Sequence, residues 1–214
     1  MQKFLFSAVI AIMCITTSCT SSPSNEEKLF NGKDLSNWEF VVEGDSVPAD
    51  QVYSVEDGVI LVQGAPLGYM YTKNKYRNYT LNVDWCWVDE PTNSGIFVII
   101  EEATNPVPNG IECQLRAGRA GDLVLLGGSN LLEYQQPEDR PRPRFPSIPK
   151  REESSEKPEG EWNNAKITVD EGKITIYING VFQNEGTNPV KEGHIGLQSE
   201  GKRIKFRNVT LIPQ

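Results

Sequence analysis

With 214 residues, of which 38% are hydrophobic and 23% charged, the chain has the size and composition of one large or two small globular domains. Its 18 glycines and 14 prolines argue against a mostly helical bundle, and its single histidine excludes a zinc site built on several histidines. The net charge of −8 argues against nucleic acid or an anionic membrane surface as the main partner.

The N-terminal segment 1–18 has the features of an export signal. One positive charge, Lys3, precedes an apolar run over 4–15 that is too short to span a bilayer comfortably. The segment ends in Thr-Thr-Ser before Cys19, which resembles a bacterial lipobox, so we expect a lipid anchor on Cys19 and a tether over 19–28. The alternative is an ordinary cleaved signal with an incidental cysteine. Either signal predicts export, and the lipid would be the only contact with the membrane of the bacterial cell envelope.

The remaining residues, 29–214, are predicted to form a single all-β domain. Short apolar or alternating segments are separated by glycine-containing turns, and none has a sustained helical period. This pattern predicts one antiparallel sandwich or barrel. The predicted strands cover residues 52–55, 58–63, 78–88, 95–100, 110–116, 122–126, 165–170, 173–179, 194–199 and 203–212.

Two of these strands indicate where the core lies. In the strand 78–88, alternate residues from Leu81 to Trp87 share one apolar face. The strand 95–100 is almost entirely apolar, so we expect it to be central and buried on both faces. Cys86 and Cys113 fall inside predicted strands and are expected to be free buried thiols, with a disulfide as the alternative in an oxidising compartment.

The segment 136–161 interrupts the series of strands. It holds six of the 14 prolines and a dense mixture of both charges, which excludes a central strand. A long loop inside a compact domain is usually functional or disordered. The functional interpretation is that Phe145 covers a cleft, or that arginines face an anionic ligand, namely Arg140, Arg142 and Arg144. The alternative is a solvated surface excursion.

The strand 110–116 carries the most informative polar pattern. Alternation places Glu112, Gln114 and Arg116 on one face and apolar residues on the other. This predicts a polar cleft above a sandwich core, although an exposed outer face would have the same pattern. Candidate neighbours of this polar row are Asp84, Gln198 and Glu200. Five aromatic residues are candidates for stacking on sugar rings, although each is also typical of a core, namely Tyr69, Tyr71, Trp85, Trp87 and Tyr134.

The same strand argues against one familiar mechanism. Retaining glycosidases need two carboxylates about 5 Å apart, and jelly-roll glucanases carry them at alternating positions of one strand. Here the positions after Glu112 are Gln114 and Arg116, so the strand lacks the second carboxylate. Ordinary retaining hydrolysis by this strand alone is therefore not expected.

Seven short motifs, in order along the chain, resemble the 3-keto-disaccharide hydrolase domain family, also described as 3-keto-glucoside lyase/hydratase domains. They are LFNGKDLSNW at 29–38, NSGIF at 93–97, GIECQL at 110–115, GEWN at 160–163, YING at 177–180, GHIGLQ at 193–198 and FRNV at 206–209. The resemblance implies a concanavalin A-like jelly-roll sandwich in an exported protein of carbohydrate-degrading bacteria. It also implies a glycoside or oligosaccharide substrate.

The chemistry that the resemblance implies is elimination. A 3-keto group acidifies the C2 proton, so a base can remove it, the C1 aglycone leaves, and water then adds to the unsaturated sugar. Glu112 is the candidate base, Arg116 the enolate or ligand anchor, and Gln114 a hydroxyl-binding residue. A Ca, Mg or Mn ion is an alternative for the enolate, with Glu112, Asp84 or His194 as candidate ligands, although His194 is also typical of a structural residue at a strand start.

Two other function classes fit the same residues. A jelly roll serves as readily as a non-catalytic carbohydrate-binding module, because fold does not determine function. A conventional glycoside hydrolase is also possible if its second carboxylate comes from another strand.

Overall fold

The computed structural model describes residues 25–44 and 46–214. The predicted signal 1–18, Cys19 and most of the predicted tether lie outside the described residues. Within the described part of the chain, no helix is long and apolar enough to cross a membrane.

The described residues form strands throughout, with one short helix. In chain order the elements are β1 (Glu27–Lys28), β2 (Trp38–Val42), α1 (Ala49–Val52), β3 (Tyr53–Glu56), β4 (Val59–Val62), β5 (Gly68–Thr72), β6 (Tyr79–Trp87), β7 (Gly95–Glu102), β8 (Asn109–Gln114), β9 (Leu123–Leu126), β10 (Ser147–Ile148), β11 (Asn163–Asp170), β12 (Lys173–Ile178), β13 (Val181–Thr187), β14 (His194–Ser199) and β15 (Ile204–Pro213).

The strands form two antiparallel sheets, which confirms the predicted all-β, concanavalin A-like jelly-roll sandwich. The first sheet has the order β13-β12-β11-β6-β15-β4-β3, with β1 also paired to β15. The second sheet has the order β10-β9-β8-β7-β14-β5-β2. Neighbours distant in sequence, such as β7 and β14, pair within each sheet, so the site residues come together only in the folded chain.

Several elements differ from the sequence prediction. The strands β2, β5 and β13 were not predicted, because segments such as GYMYT and VFQNEGT lack a clear apolar alternation and become strands by pairing with neighbours. The two-residue strands β1 and β10 were also missed. A helical turn, α1, ends at Val52, where the prediction began a strand.

The core lies between the sheets as expected. Trp85 and Trp87 of β6 are buried there, with Ile111, Cys113 and Leu115 facing them from the β8 segment. The predicted free thiols are confirmed, since Cys86 and Cys113 are both buried and unbridged.

The strand β7 is central in the second sheet and buried on both faces, as its apolar sequence predicted. Its inner residues Ile96 and Val98 join the main core. On the outer face, Phe97 and Ile100 join a second apolar cluster with Tyr69, Val124 and Leu126. This outer cluster gives the second sheet an apolar surface on which a cavity can form.

Candidate functional site

A cavity of about 460 Å³ lies on the outer face of the second sheet. Its floor comes from β7, β8, β9 and the end of β14, and its rim comes from loops. The residues that line it are Leu67, Asn93, Phe97, Val107, Glu112, Gln114, Arg116, Arg119, Asp122, Val124, Leu126, Arg144, Phe145, Ser147, Gln198 and Glu200. Polar and apolar groups are mixed, as in sites that orient a sugar against a hydrophobic floor.

The predicted polar row of β8 lies in this cavity. Glu112, Gln114 and Arg116 all line it, while the alternate residues point into the core. Pairing aligns Glu112 with Phe97 of β7 and Val124 of β9, so the carboxyl group rises from an apolar part of the floor. The prediction of a polar cleft above a sandwich core is therefore confirmed.

Glu112 is the most unusual residue of the floor. Its side chain is 3% exposed, and its Oε1 atom is buried without a hydrogen-bond partner. The space for this carboxyl group exists because residue 95 is glycine, since a Cβ atom there would overlap the Glu112 carboxyl group. Gly95 of β7 is thus part of the site although it carries no side chain.

Burial, and to a smaller extent the negative charge of nearby Glu200, together raise the pKa of Glu112 to about 8. Desolvation disfavours the ionised carboxylate, and no cation or hydrogen-bond donor within the described residues offsets that cost at Oε1. A carboxyl group with a pKa near neutrality can both accept and return a proton, which is the property required of a general acid–base residue.

Glu200 is brought to the cavity by the turn between β14 and β15. Its backbone forms a bridge with Asn93, and Ser94 Oγ donates 2.9 Å to the Gln198 carbonyl oxygen, so the turn is held against the start of β7. Gln198 Nε2 donates 2.8 Å to Glu200 Oε2. The oxygens Gln198 Oε1 and Asn93 Oδ1 are buried without partners, so this wall presents hydrogen-bond acceptors.

The other end of the cavity is formed by the turn between β8 and β9. Gln114 Oε1 accepts 3.0 Å hydrogen bonds from the backbone N–H groups of Leu115 and Arg116, which fixes the chain where it leaves the strand. Asp122 is only 2% exposed and holds Arg119, with Nε and Nη2 at 2.6 and 2.5 Å from Asp122 Oδ2. Two arginines therefore project from a rigid turn.

The proline-rich loop supplies the rim. Phe145 lines the cavity and is 43% exposed, and the Arg144 guanidinium lies 5.0 Å from its ring centroid. The loop is anchored just beyond this point, where β10, the edge strand of the second sheet, pairs with β9. The functional interpretation of the loop predicted that Phe145 covers a cleft or that arginines face a ligand. In the structure Phe145 and Arg144 both line the cavity. Arg140 and Arg142 do not line the cavity.

A profile of the 3-keto-α-glucoside-1,2-lyase-like domain matches residues 25–212, which is nearly the whole described chain. The chain belongs to this family. A curated relative, the 3-keto-disaccharide hydrolase of Bacteroides thetaiotaomicron, is 27% identical over 227 residues, covering 85% of this chain and 76% of the relative. The resemblance read from the seven motifs is thereby confirmed, and the family supports a carbohydrate-directed, glycosyl hydrolase-like function.

Solved structures share the sandwich fold of the 3-keto-α-glucoside-1,2-lyase-like chain. A protein from Parabacteroides distasonis, assigned as a glycosyl hydrolase, is 22% identical with a TM-score of 0.64, covering 88% of this chain and 94% of its own. A carbohydrate-binding module from Bacillus subtilis is 11% identical with a TM-score of 0.58, covering 82% and 95%. These similarities show the fold alone.

Three of the predicted site residues lie outside the cavity, namely Asp84, Tyr134 and His194. Asp84 is on the first sheet, where its carboxylate accepts from Asn164 Nδ2 at 2.9 Å and Asn208 Nδ2 at 2.7 Å. The hypothesis that Asp84 neighbours the polar row is wrong, because alternation along β6 turns it away from the core on the opposite sheet. Tyr134, predicted as a stacking residue, instead donates to Gln136 Oε1 at 2.9 Å and lies under Arg142.

His194 occupies a structural position. It begins β14, its Nδ1 is 2.7 Å from the Thr72 carbonyl oxygen, and its ring packs edge-on against Tyr71. Glu112, Asp84 and His194 were the candidate ligands of a divalent metal, and they lie in three separate places, so they do not form one metal site together. No group of three or more metal-ligating side chains occurs among residues 25–44 and 46–214.

The remaining aromatic candidates have packing roles. Trp85 and Trp87 belong to the main core, as the alternative interpretation held. Tyr69 is fully buried in the outer cluster, where it packs edge-on against Phe97, and Tyr71 donates to Glu39 Oε2 at 2.7 Å. Phe97 and Phe145 are the aromatic rings that line the cavity.

Sequence reasoning missed several residues of the site, among them Asn93, Arg119 and Asp122, which line the cavity, and Gly95, which makes room for Glu112. Asn93 and Gly95 fall inside the NSGIF motif, and a glycine within a strand is the signal that could have indicated a close approach of another group. Arg119 and Asp122 are three residues apart across the glycine-rich turn, a spacing that permits an ion pair. Nothing in these two segments shows that their residues lie in one cavity with Glu112 and Gln198, because those two residues come from other strands.

Proposed function

We propose that this protein is an exported, lipid-anchored enzyme that cleaves 3-keto-α-glucosides by β-elimination followed by hydration. The observation that carries the proposal is Glu112, a buried carboxyl group on the floor of a sugar-sized cavity, with one oxygen unpartnered and a raised pKa. The family and its hydrolase-named relative support the substrate class. Export and anchoring rest on the predicted signal over 1–18 and on Cys19.

In the first step Glu112 removes the C2 proton of the 3-keto sugar. The electrons of the C2–H bond form the enolate of C2, C3 and the keto oxygen, and the C1–O bond then breaks as the C1–C2 double bond forms. The low exposure of the Glu112 carboxylate favours removal of the proton, because a poorly solvated carboxylate is a stronger base than one in water. The aglycone oxygen leaves with a proton, and protonated Glu112, which has just taken the C2 proton, is the available donor.

In the second step water adds across the C1–C2 double bond. Its oxygen joins C1 and a proton returns to C2, so the net result is hydrolysis and the carboxyl groups end in their starting state. Gln114, Gln198 and Asn93 line the same cavity and are placed to bind sugar hydroxyls. Such polar groups on rigid strands hold the reacting atoms in one orientation, which lowers the entropy cost of the reaction.

The test is release of aglycone from a synthetic 3-keto-α-glucoside, followed by liquid chromatography. We expect turnover by the wild-type protein and a loss of at least about a hundredfold in kcat for Glu112→Gln, the range typical of a general base. Glu102→Gln is the control, since Glu102 is exposed at the end of β7. Full activity of Glu112→Gln would eliminate Glu112 as the base.

A conventional glycosidase is the second candidate, and the position of Glu200 favours it. The second carboxylate that β8 lacks is supplied to the cavity from the turn after β14 and is close enough to raise the pKa of Glu112. A conventional glycosidase cleaves unoxidised α-glucosides, which the elimination route does not. A carbohydrate-binding module would bind either sugar and cleave neither.

A further inference from the structure

The lining of the cavity changes from apolar to polar along the strands of the second sheet. Glu112 of β8 is opposite Val124 of β9, and Gly110, two residues before it, is opposite Leu126. Two residues in the other direction, on the same face of β8, lies Gln114. Glu112 therefore lies between two ends of the cavity, one at Leu126 and the other beyond Gln114.

The end at Leu126 is lined mainly by apolar side chains, which are those of Phe97, Val107, Val124, Leu126 and Phe145. Phe145 comes from the proline-rich loop, and the antiparallel pairing of β10 with β9 carries it toward Leu126. Its ring is 43% exposed, so this end has apolar surface open to a ligand. The polar residues here are Ser147 and Arg144, whose guanidinium lies over the Phe145 ring.

The opposite end is lined mainly by polar side chains. They are Asn93, Gln114, Arg116, Arg119, Asp122, Gln198 and Glu200, with Leu67 as an apolar member. Within the described residues, Gln198 Oε1 and Asn93 Oδ1 are buried without a hydrogen-bond partner. The Glu112 carboxyl group turns toward this end, because it lies against Gly95, which is opposite Gln114. Buried acceptors without partners need donors from a ligand, and sugar hydroxyl groups supply such donors.

The position of Glu112 restricts how a glycoside can lie in this cavity. In the proposed reaction, the C2 proton and the C1–O bond of the reacting sugar must both be next to the Glu112 carboxyl group. The hydroxyl groups of that sugar then find acceptors at the polar end, and the group joined through C1 extends over Leu126 and Phe97. A second sugar there would lose hydration without gaining hydrogen bonds, which is unfavourable.

We propose that the apolar end of the cavity binds an apolar leaving group, so that the substrate is a glucoside of an aromatic or aliphatic alcohol rather than a disaccharide. The inference rests on the proposed function for the keto group and the bond that is cleaved, but the difference in polarity between the two ends does not. Burial of apolar surface on the leaving group and on Phe145 supplies the affinity. The same contact explains why a phenylalanine ring is exposed on the rim.

The test compares two 3-keto-α-glucosides that differ in the polarity of a six-membered ring. One carries a cyclohexylmethyl group. The other is isomaltose oxidised at C3 of its non-reducing glucose, whose leaving group is also a ring on a primary alcohol. For the wild-type protein we expect kcat/KM to favour the cyclohexylmethyl compound by roughly tenfold or more. The sugar is the more acidic leaving group, so leaving-group chemistry alone predicts the opposite order.

Substitutions at the two ends should have different effects. Phe145→Ser and Val107→Ser each reduce the preference severalfold, because they make the apolar end more polar. Phe40→Ser is the matched control and retains the preference, because Phe40 is 36% exposed on β2 and lies outside the cavity. Asn93→Ala lowers kcat/KM for both compounds by the same factor, because it removes an acceptor for the sugar that they share.

Binding measurements separate this inference from the proposed function. Calorimetry with unoxidised cyclohexylmethyl α-glucoside and isomaltose reports the polarity of the site whether or not a substrate is cleaved. Tighter binding of cyclohexylmethyl α-glucoside, weakened in Phe145→Ser and kept in Phe40→Ser, supports the apolar site, even if a lack of turnover refutes the proposed function. No preference for the apolar probe, whether both probes bind equally or neither binds, overturns it. Cleavage of both 3-keto compounds at equal kcat/KM also overturns it and leaves the elimination chemistry intact.

Discussion

The buried carboxyl group of Glu112 makes the stability of the protein depend on pH in a calculable way. Replacing it with glutamine keeps the shape of the side chain and removes the titration. In the unfolded chain the pKa is about 4.5, and in the folded chain it is about 8. Because the folded-state pKa is raised, the folded state holds the proton more tightly, and stability falls as pH rises.

The size of the effect follows from the two pKa values. Below pH 4.5 the group is protonated in both states and carries no penalty. Between pH 4.5 and 8 the unfolded chain ionises first, so the free energy of unfolding falls by about 1.4 kcal/mol per pH unit. The full penalty above pH 8 is about 5 kcal/mol, of which about 4 kcal/mol develops between pH 5 and pH 9.

Urea denaturation at pH 5, 7 and 9 measures this difference directly. We expect the wild-type protein to lose about 4 kcal/mol more stability than Glu112→Gln over that range, because other titrating groups are common to both proteins. Glu102→Gln makes the same chemical change at an exposed position and should follow the wild-type curve. Parallel curves for the wild type and Glu112→Gln would show that the carboxyl group ionises freely in the folded protein, and the reasoning about burial would fail.

Three further predictions test the surroundings of that carboxyl group. Gly95→Ala places a methyl group against the Glu112 side chain and is expected to lower stability by about 1–3 kcal/mol. The loss should be smaller when Glu112 is also replaced by alanine, and a double-mutant cycle of urea midpoints measures the difference. Glu200→Gln removes a negative charge near Glu112 and is expected to lower the pKa of Glu112. The rise of kcat/KM with pH on a 3-keto substrate, which is centred near pH 8 in the wild type, should therefore move to lower pH. A pH profile that does not move would contradict the coupling between the two carboxyl groups. Asp122→Asn weakens a buried carboxylate that holds the Arg119 guanidinium and the Lys150 backbone N–H, and it is expected to lower stability by about 1–3 kcal/mol in thermal unfolding. Asp139→Asn is the control, because it lies in a largely exposed ion pair and should change stability by less than about 0.5 kcal/mol.

Much of the fold was accessible from the sequence because strand signals are local. Alternation along β6 and β8 assigned Trp85 and Cys113 to the core and Glu112 to the opposite face, and each assignment holds in the structure. A side chain's face follows from its position in its own strand, with no knowledge of the neighbours. The short edge strands and β5 were missed because their pairing, rather than their composition, makes them strands.

The composition of the site was less accessible because it depends on which strands become neighbours. By itself the sequence determined an all-β chain, a polar row on one strand and the motifs of a carbohydrate-directed family. Only the tertiary structure decided that Glu200 and Gly95 meet Glu112, and that Asp84 and His194 do not. The physical reason is that periodicity assigns the face of a single strand, whereas the order of strands across a sheet is settled by packing of the whole chain.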